Sequence, residues 1–303
     1  MPRQLALVLL LTLLAGGTTV ADGPPLRVVA TFTVVADFTR EVGGDRVVVR
    51  SLVGPDGDAH AFEPGPEDAA AIAAADVVVR NGLGFEGWMD RLLDATGFDG
   101  QLITASAGIT PRGANDHDHG HDHGHQHGDH DPHAWLDVRH AKAYVRTIRD
   151  GLIEADPAGA GTYRERAARY LASLERLDED IRATLGDVPE DARVMTSHAA
   201  FGYFAAAYGI AFTAPRGLST EAEPSARVVA EQARALRRGE VQALLGESLT
   251  DDRLLERIGD EADTALSGTL YSDALSGPDG PAPDYVAMMR HNARVLAEAL
   301  SAD

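Results

Sequence analysis

Short apolar runs alternate with helical patterns along most of the chain, and the same alternation occurs twice. In the first half it predicts buried strands at residues 26–31, 47–53, 77–80 and 102–104, with helices at 34–42, 66–75 and 87–94. In the second half it predicts strands at 193–196, 210–213, 241–245 and 265–271, with helices at 201–208, 225–238, 251–261 and 283–300. Strand-then-helix alternation implies crossover connections, so each half is expected to contain a mainly parallel sheet.

Two further helices are predicted between these halves. Residues 138–155 form the first, with Asp137 as its N-cap. The second begins at Asp156, a good N-cap, and Pro157, a favoured first helical residue. Its apolar residues recur at steps of three and four: Tyr163, Ala167, Tyr170, Leu174, Leu177, Ile181 and Leu185. At 1.5 Å per residue, about 28 residues span roughly 40 Å, enough to run along a pair of domains.

A surface helix shows the same pattern just as often, but the position between two similar halves favours a connector. We therefore predict an α/β fold of two (β/α) lobes joined by one long rigid helix. The predicted boundaries are residues 22–155 for the N-terminal lobe, 156–186 for the linking helix and 187–303 for the C-terminal lobe.

The amino terminus has the composition of an export signal. Arg3 precedes an apolar run at residues 5–15, and small residues continue to Ala21, so residues 1–21 are predicted to be a cleaved signal peptide. A buried first helix is the alternative. The chain has no cysteine, which excludes disulfides and thiolate metal sites. With no cysteine after the apolar run, we expect a periplasmic protein that is not a lipoprotein.

The charge balance indicates which partners to expect. The net charge is −20 at pH 7, which argues against nucleic acid and anionic membranes and favours cations. We expect no nucleic-acid partner and a monomeric protein.

A histidine-rich loop at residues 115–131 introduces metal chemistry. Six histidines alternate with other residues, and a seventh follows: His117, His119, His121, His123, His125, His127 and His130. The run cannot bury apolar surface, and dense imidazoles bind transition metals to some degree. It is predicted to be an auxiliary, low-affinity metal loop, with a spacer of no selected task as the alternative. A tight site needs ligands held by a scaffold.

Four other residues follow predicted strands. His60 lies beyond the strand ending at Val53 and His198 beyond the strand ending at Thr196, while His133 closes the long loop and Asp273 follows Tyr271. Ligand sites in open α/β sheets gather at the carboxyl ends of strands. Two facing lobes would bring the four together, and three imidazoles with one carboxylate suit Zn²⁺.

Each of these residues also has a plainer interpretation. A single histidine after a strand is more often solvated or hydrogen-bonded in a core. Asp273 could cap the turn before Ala274. His140 and His291, which lie within predicted helices, are interpreted as solvated or structural.

The segments around these four residues resemble those of a known family. The chain resembles the zinc/manganese class of ABC-transporter solute-binding proteins, of the zinc-binding type with a His-rich loop. The matching segments are GDAHAFEP at 57–64, DPHAWLD at 131–137, TSHAAFGYFAAAYGI at 196–210, LYSDALSG at 270–277 and a closing helix at 285–300.

The resemblance implies one tight metal ion between the lobes, bound by His60, His133, His198 and Asp273. Manganese-preferring relatives often have Glu at the third position, so His198 favours zinc over manganese or another divalent metal. Some zinc members have an acidic residue before the first histidine, where this chain has Ala59. Asp273 is therefore the better fourth ligand, with water sharing the site as the alternative. Implied partners are an ABC importer permease with its ATPase, and a periplasmic zinc metallochaperone.

Two rival functions remain. A zinc hydrolase would need an open metal position and a general base, and the chain contains neither H-E-x-x-H nor G-x-S-x-G. We therefore expect no enzymatic activity. A metal-buffering or adhesive surface protein without transport is the other rival, which a neighbouring permease and ATPase gene pair would exclude.

Overall fold

The computed structural model of the protein describes residues 23–113 and 130–301. The predicted signal peptide and the loop histidines from His117 to His127 lie outside these described residues. In the described part, no helix combines the length and apolar character needed to cross a membrane.

The N-terminal lobe is a parallel four-stranded sheet with helices packed on it. The strand order is β2-β1-β3-β4, and all neighbouring pairs are parallel. Strand β3 consists almost entirely of valine and is buried on both faces, as expected for a covered parallel sheet. Its elements are β1 Leu26–Ala30, α1 Thr33–Gly43, β2 Val47–Ser51, α2 Pro66–Ala73, β3 Val77–Arg80, α3 Met89–Thr96, β4 Gln101–Thr104 and α4 Val138–Ala155.

The C-terminal lobe repeats this topology. Its strand order is β6-β5-β7-β8, again all parallel. Gly209 ends α6 with a positive φ of 84°, which lets its N–H bond the Ala205 carbonyl. The elements are β5 Arg193–Met195, α6 Gly202–Tyr208, β6 Ala211–Thr213, α7 Ala226–Arg237, β7 Ala243–Glu247, α8 Arg253–Ala262, β8 Gly268–Leu270 and α9 Tyr285–Ser301.

One long helix, α5 (Ala160–Thr184), connects the lobes. It packs against α1 and α4 of the first lobe and α9 of the second. Its buried residues are Tyr163, Ala167, Tyr170, Leu174, Leu177 and Ile181, as the apolar spacing predicted. The start differs from the prediction, because Pro157–Gly159 forms a separate 3₁₀ turn that Asp156 caps through the Gly159 N–H. The α-helix therefore has 25 residues.

The core runs through both lobes and α5. It includes side chains of β1, β3 and α1 together with Tyr285 and Met289 of α9, so the two lobes share one apolar core. A second, smaller cluster lies between β7, α7 and α8. Two parallel-sheet lobes joined by a long helix confirm the predicted fold class.

Candidate metal centre

His60 lies on the loop that follows β2, and hydrogen bonds hold the loop to both lobes. The Asp58 carboxylate accepts the His60 backbone N–H at 2.8 Å through Oδ1. Its Oδ2 accepts the hydroxyl of Thr220, in the opposite lobe, at 2.5 Å. The loop is also joined to the C-terminal lobe by the bond from the Asp56 N–H to the Leu275 carbonyl.

His133 is held by the short segment that leads into α4. Asp131 Oδ1 lies 2.8 Å from Nδ1 of the His133 ring and accepts its backbone N–H at 3.0 Å. A 3₁₀ turn, Ala134–Leu136, follows at once. Within it the Trp135 indole donates to the Ser272 carbonyl of the other lobe at 2.9 Å.

His198 and Asp273 come from the carboxyl ends of strands in the C-terminal lobe. His198 follows β5 and Asp273 follows β8. Glu247, the last residue of β7, accepts the His198 backbone N–H at 2.9 Å and the Ser272 hydroxyl at 2.7 Å. Glu247 thus ties together the two loops that carry His198 and Asp273.

These four side chains converge across the cleft, with ligand atoms that all lie within 4.8 Å of one another. Nε2 of His60 lies 3.3 Å from both Nε2 of His133 and Oδ2 of Asp273. Oδ2 of Asp273 is 3.2 Å from Nε2 of His198, and Oδ1 is 3.6 Å from Nε2 of His133. Tetrahedral ligands about 2.0–2.1 Å from a zinc ion are about 3.3–3.4 Å apart, so these four distances fit such an ion.

The polarity of the site also indicates a cation. His133, His198 and Asp273 are fully buried, and the His60 side chain is 6% exposed. Within the described residues, both Asp273 carboxylate oxygens and Nε2 of His198 are buried without a well-aligned hydrogen bond. Such groups are costly to leave unsatisfied, and a cation at the centre would satisfy all of them.

Charges within the site shift the pKa values of two of these residues. Burial lowers the pKa of His198, but the Glu247 and Asp273 carboxylates outweigh it and hold the pKa well above its usual value. Burial raises the pKa of Asp273, yet His133 and His198 hold it well below its usual range. The direction of this shift favours the doubly protonated ring of His198, so metal binding is expected to release a proton from it.

Aromatic rings line the N-terminal side of the site. The Phe85 ring centroid is 4.7 Å from that of His60 and 5.9 Å from that of His133. Trp135 lies 5.4 Å from His133. These rings keep water from that side and reduce screening of charge in the site.

The other histidines that the sequence singled out lie apart from this cluster. His140, on α4, contacts the Tyr203 ring of α6, and burial lowers the pKa of His140. His291 contacts the Thr269 carbonyl at 2.9 Å. His130 is exposed and forms an isolated antiparallel bridge with Gly113.

Sequence reasoning missed Asp131, Glu247 and the Asp58–Thr220 contact. Asp131 carries a weak signal, since it lies two residues before His133 and short acidic residues often bond nearby backbone groups. Glu247 is 49 residues from His198, and no local pattern marks it.

Comparison with known proteins agrees with this geometry. The family model described as ZnuA, zinc-uptake complex component A, periplasmic, matches residues 28–299. The chain belongs to this family. Members of the ZnuA family are the substrate-binding components of ABC importers, so the protein is a periplasmic, divalent-metal-binding component of this kind and not an enzyme.

Relatives of this chain differ in the metal for which they are named. The iron-binding protein YfeA of Yersinia pestis is 30% identical over 273 residues, 90% of this chain and 85% of its own. The manganese-binding lipoprotein MntA of Halalkalibacterium halodurans is 30% identical over 301 residues, 97% of each chain.

Solved structures of relatives share the fold. The periplasmic zinc-binding protein TroA of Treponema pallidum superposes with a TM-score of 0.82 at 26% identity, covering 91% of this chain and 99% of its own. A Cd-bound periplasmic metal-binding protein of Candidatus Liberibacter asiaticus has a TM-score of 0.79 at 26% identity, with the same coverage.

One expectation is contradicted by these relatives. The protein was expected not to be a lipoprotein, yet MntA and the PsaA protein of Streptococcus anginosus, 27% identical over 98% of this chain and 96% of its own, are named as lipoproteins. That expectation was wrong because it rested only on an absent cysteine, and an absence in one sequence does not establish how a member of this family is attached.

Proposed function

We propose that the protein captures Zn²⁺ and delivers it to the permease of an ABC importer. The observation that carries the proposal is the convergence of three imidazole nitrogens and one carboxylate oxygen on one point between the lobes. We assign His60, His133, His198 and Asp273 as the four ligands. They would leave no open coordination position, as expected for a carrier and not for a catalytic zinc.

The donor set supports zinc over the harder metals. Manganese(II) favours carboxylates, carbonyls and water, whereas three imidazoles suit zinc and the other late transition metals. His198 supplies the third imidazole at the position where manganese-preferring relatives often have Glu. We therefore expect this site to bind manganese more weakly than a site with more oxygen ligands would.

Manganese or iron is the second candidate, because relatives named for each metal match nearly the whole chain. Competition titration of the metal-free protein with Zn²⁺, Mn²⁺ and Fe²⁺, each against a chelator of known affinity, tests the choice. We expect one tight zinc ion per chain and much weaker manganese. Equal or tighter manganese binding would assign the cargo to manganese.

The remaining elements have subsidiary roles in this proposal. The His-rich loop, residues 115–131, collects zinc at low affinity, and a periplasmic metallochaperone delivers zinc to the monomeric protein. In this proposal the N-terminal lobe is residues 22–155, the linking helix 156–186 and the C-terminal lobe 187–303. Because α5 packs against both lobes, it limits hinge bending, and release proceeds through local loop movement. A large zinc-dependent compaction in small-angle scattering would contradict release by local loop movement.

A further inference from the structure

Two buried carboxylates lie directly behind ligand histidines, one in each lobe. Oδ1 of Asp131 is 2.8 Å from Nδ1 of His133, and Oε2 of Glu247 is 2.9 Å from Nδ1 of His198. Both carboxylates are almost completely buried, at 0% and 1% exposure. In both rings the opposite nitrogen, Nε2, is the one that faces the cluster.

We propose that Asp131 and Glu247 are positioning residues for metal capture, which fix the rings of His133 and His198 so that Nε2 is the nitrogen presented to the ion. The inference rests on the proposed function. A carboxylate that accepts a hydrogen bond from Nδ1–H keeps the proton on that nitrogen, leaves Nε2 with a free lone pair, fixes the ring orientation and makes Nε2 a stronger donor.

Each carboxylate is itself held in place. Asp131 also accepts the His133 backbone N–H at 3.0 Å, and its own N–H donates to the Arg112 carbonyl at 3.0 Å. Glu247 accepts the Ser197 hydroxyl at 2.6 Å and the Ser272 hydroxyl at 2.7 Å. These bonds orient each carboxylate before a metal arrives, so little ordering remains to be done on binding.

The two pairs differ in alignment. The Asp131–His133 contact has the geometry of a hydrogen bond. The Glu247–His198 contact has the distance but not the alignment, since Nδ1 of His198 lacks a well-aligned partner among the described residues. Asp131 therefore orients its ring more firmly, and the contribution of Glu247 depends more on its charge.

Charge balance gives the carboxylates a second effect. A divalent cation bound by Asp273 as the one charged ligand would leave a net positive charge in a buried site, which is unfavourable. Asp131 and Glu247 add two negative charges one imidazole away from the ion. They stabilise the loaded state without occupying a coordination position.

Glu86 provides a matched control. Glu86 lies in the loop that follows β3, and Glu247 is the last residue of β7. Strands β3 and β7 occupy the same position in the strand orders of the two sheets. Glu86 accepts the Thr31 hydroxyl at 2.6 Å and the Asn81 N–H at 2.6 Å. Like Glu247, Glu86 is buried and accepts a hydroxyl from a residue just after the first strand of its lobe, Thr31 in place of Ser197. Unlike Glu247, it is not joined to the ring of a ligand histidine by these hydrogen bonds.

The test combines affinity with a direct view of the ring nitrogens. Zinc affinity is measured by chelator competition for Asp131→Ala, Asp131→Asn, Glu247→Ala, Glu247→Gln and Glu86→Gln. We expect the alanine variants to bind on the order of 10- to 100-fold more weakly. Asp131→Asn should keep more zinc affinity than Asp131→Ala, because the amide oxygen can still accept a hydrogen bond from Nδ1–H. Glu247→Gln should regain less affinity relative to Glu247→Ala, since the effect of Glu247 depends more on its charge. Glu86→Gln should bind zinc as tightly as the wild type.

Nuclear magnetic resonance of the ¹¹³Cd-loaded wild type gives an answer that does not depend on any variant folding. Coupling of ¹¹³Cd to Nε2 of His133 and His198, with a proton on Nδ1 of each, is expected. Metal on Nδ1 of either ring, or wild-type affinity in both alanine variants, would overturn the positioning role. A wild type without one tight zinc ion would instead overturn the proposed function and the inference with it.

Discussion

Asp37 is a buried carboxylate where the two lobes and the linking helix meet, and it makes stability depend on pH. It lies on α1, accepts the N–H of Tyr285 at the start of α9 at 3.1 Å, and lies 3.4 Å from the Tyr170 hydroxyl of α5. Burial is the main cause that raises the pKa of Asp37 to about 7; the nearby carboxylates Asp284 and Glu41 add to the rise, and the Tyr285 N–H and Arg40 oppose it.

The sign and the size of the effect follow from linkage. Between an unfolded-state pKa of 3.8 and a folded-state pKa of about 7, the folded protein binds more protons than the unfolded chain. The stabilisation is therefore full below pH 3.8 and is lost as the pH rises through about 7. At 1.36 kcal/mol per pH unit the whole span is worth about 4 kcal/mol, of which about 2–3 kcal/mol falls between pH 5 and pH 8.

Asp37→Asn removes this dependence, because asparagine stays neutral and can still accept from the Tyr285 N–H. Urea unfolding of metal-free wild type and variant at pH 5 and pH 8 measures the difference, with other titrating groups common to both proteins. The variant should gain about 2–3 kcal/mol relative to the wild type on going from pH 5 to pH 8. A difference in unfolding free energy between variant and wild type that is the same at pH 5 and pH 8 would refute the reasoning.

Three further predictions concern the metal centre. His198→Ala should weaken zinc binding by at least about 100-fold, because it removes a ligand; His291→Ala, away from the site, should bind zinc as the wild type does in chelator competition. Zinc affinity should fall as pH is lowered, by about tenfold per pH unit for each proton displaced; titrations from pH 8 to pH 5 that give a constant affinity would contradict the raised pKa of His198. Deleting residues 116–130 should leave one tight zinc ion and remove only weak binding, and loss of the tight site on calorimetry would show that the loop supplies a ligand.

The fold could be predicted largely because apolar periodicity reports directly on burial. Helix α4 begins and ends at the predicted residues, Val138 and Ala155, since Asp137 supplies a clear N-cap. Strand β8 is shorter than predicted, at Gly268–Leu270, because apolar character in the sequence does not show where ladder bonds end. The 3₁₀ turn at Pro157–Gly159 was missed because Pro157 favours the first turn of either kind of helix.

Within the candidate site, the residues that follow strand ends could be found, and the groups that hold them could not. His60, His133, His198 and Asp273 were selected by their positions after strands, and the structure brings all four together. Their role as ligands remains a proposal. The Glu247–His198 and Asp58–Thr220 pairs join residues 49 and 162 positions apart. Pairing at that distance depends on how two sheets and two lobes assemble, which local pattern does not encode.

X-ray absorption at the zinc edge of the loaded protein tests the central claim most directly, because it reports donor type, number and distance together. The proposed site predicts three imidazole nitrogens and one carboxylate oxygen about 2.0–2.1 Å from a single zinc. A shell with fewer than three imidazoles, or one that survives unchanged in His198→Ala, would contradict the assignment of zinc to the cleft between the lobes.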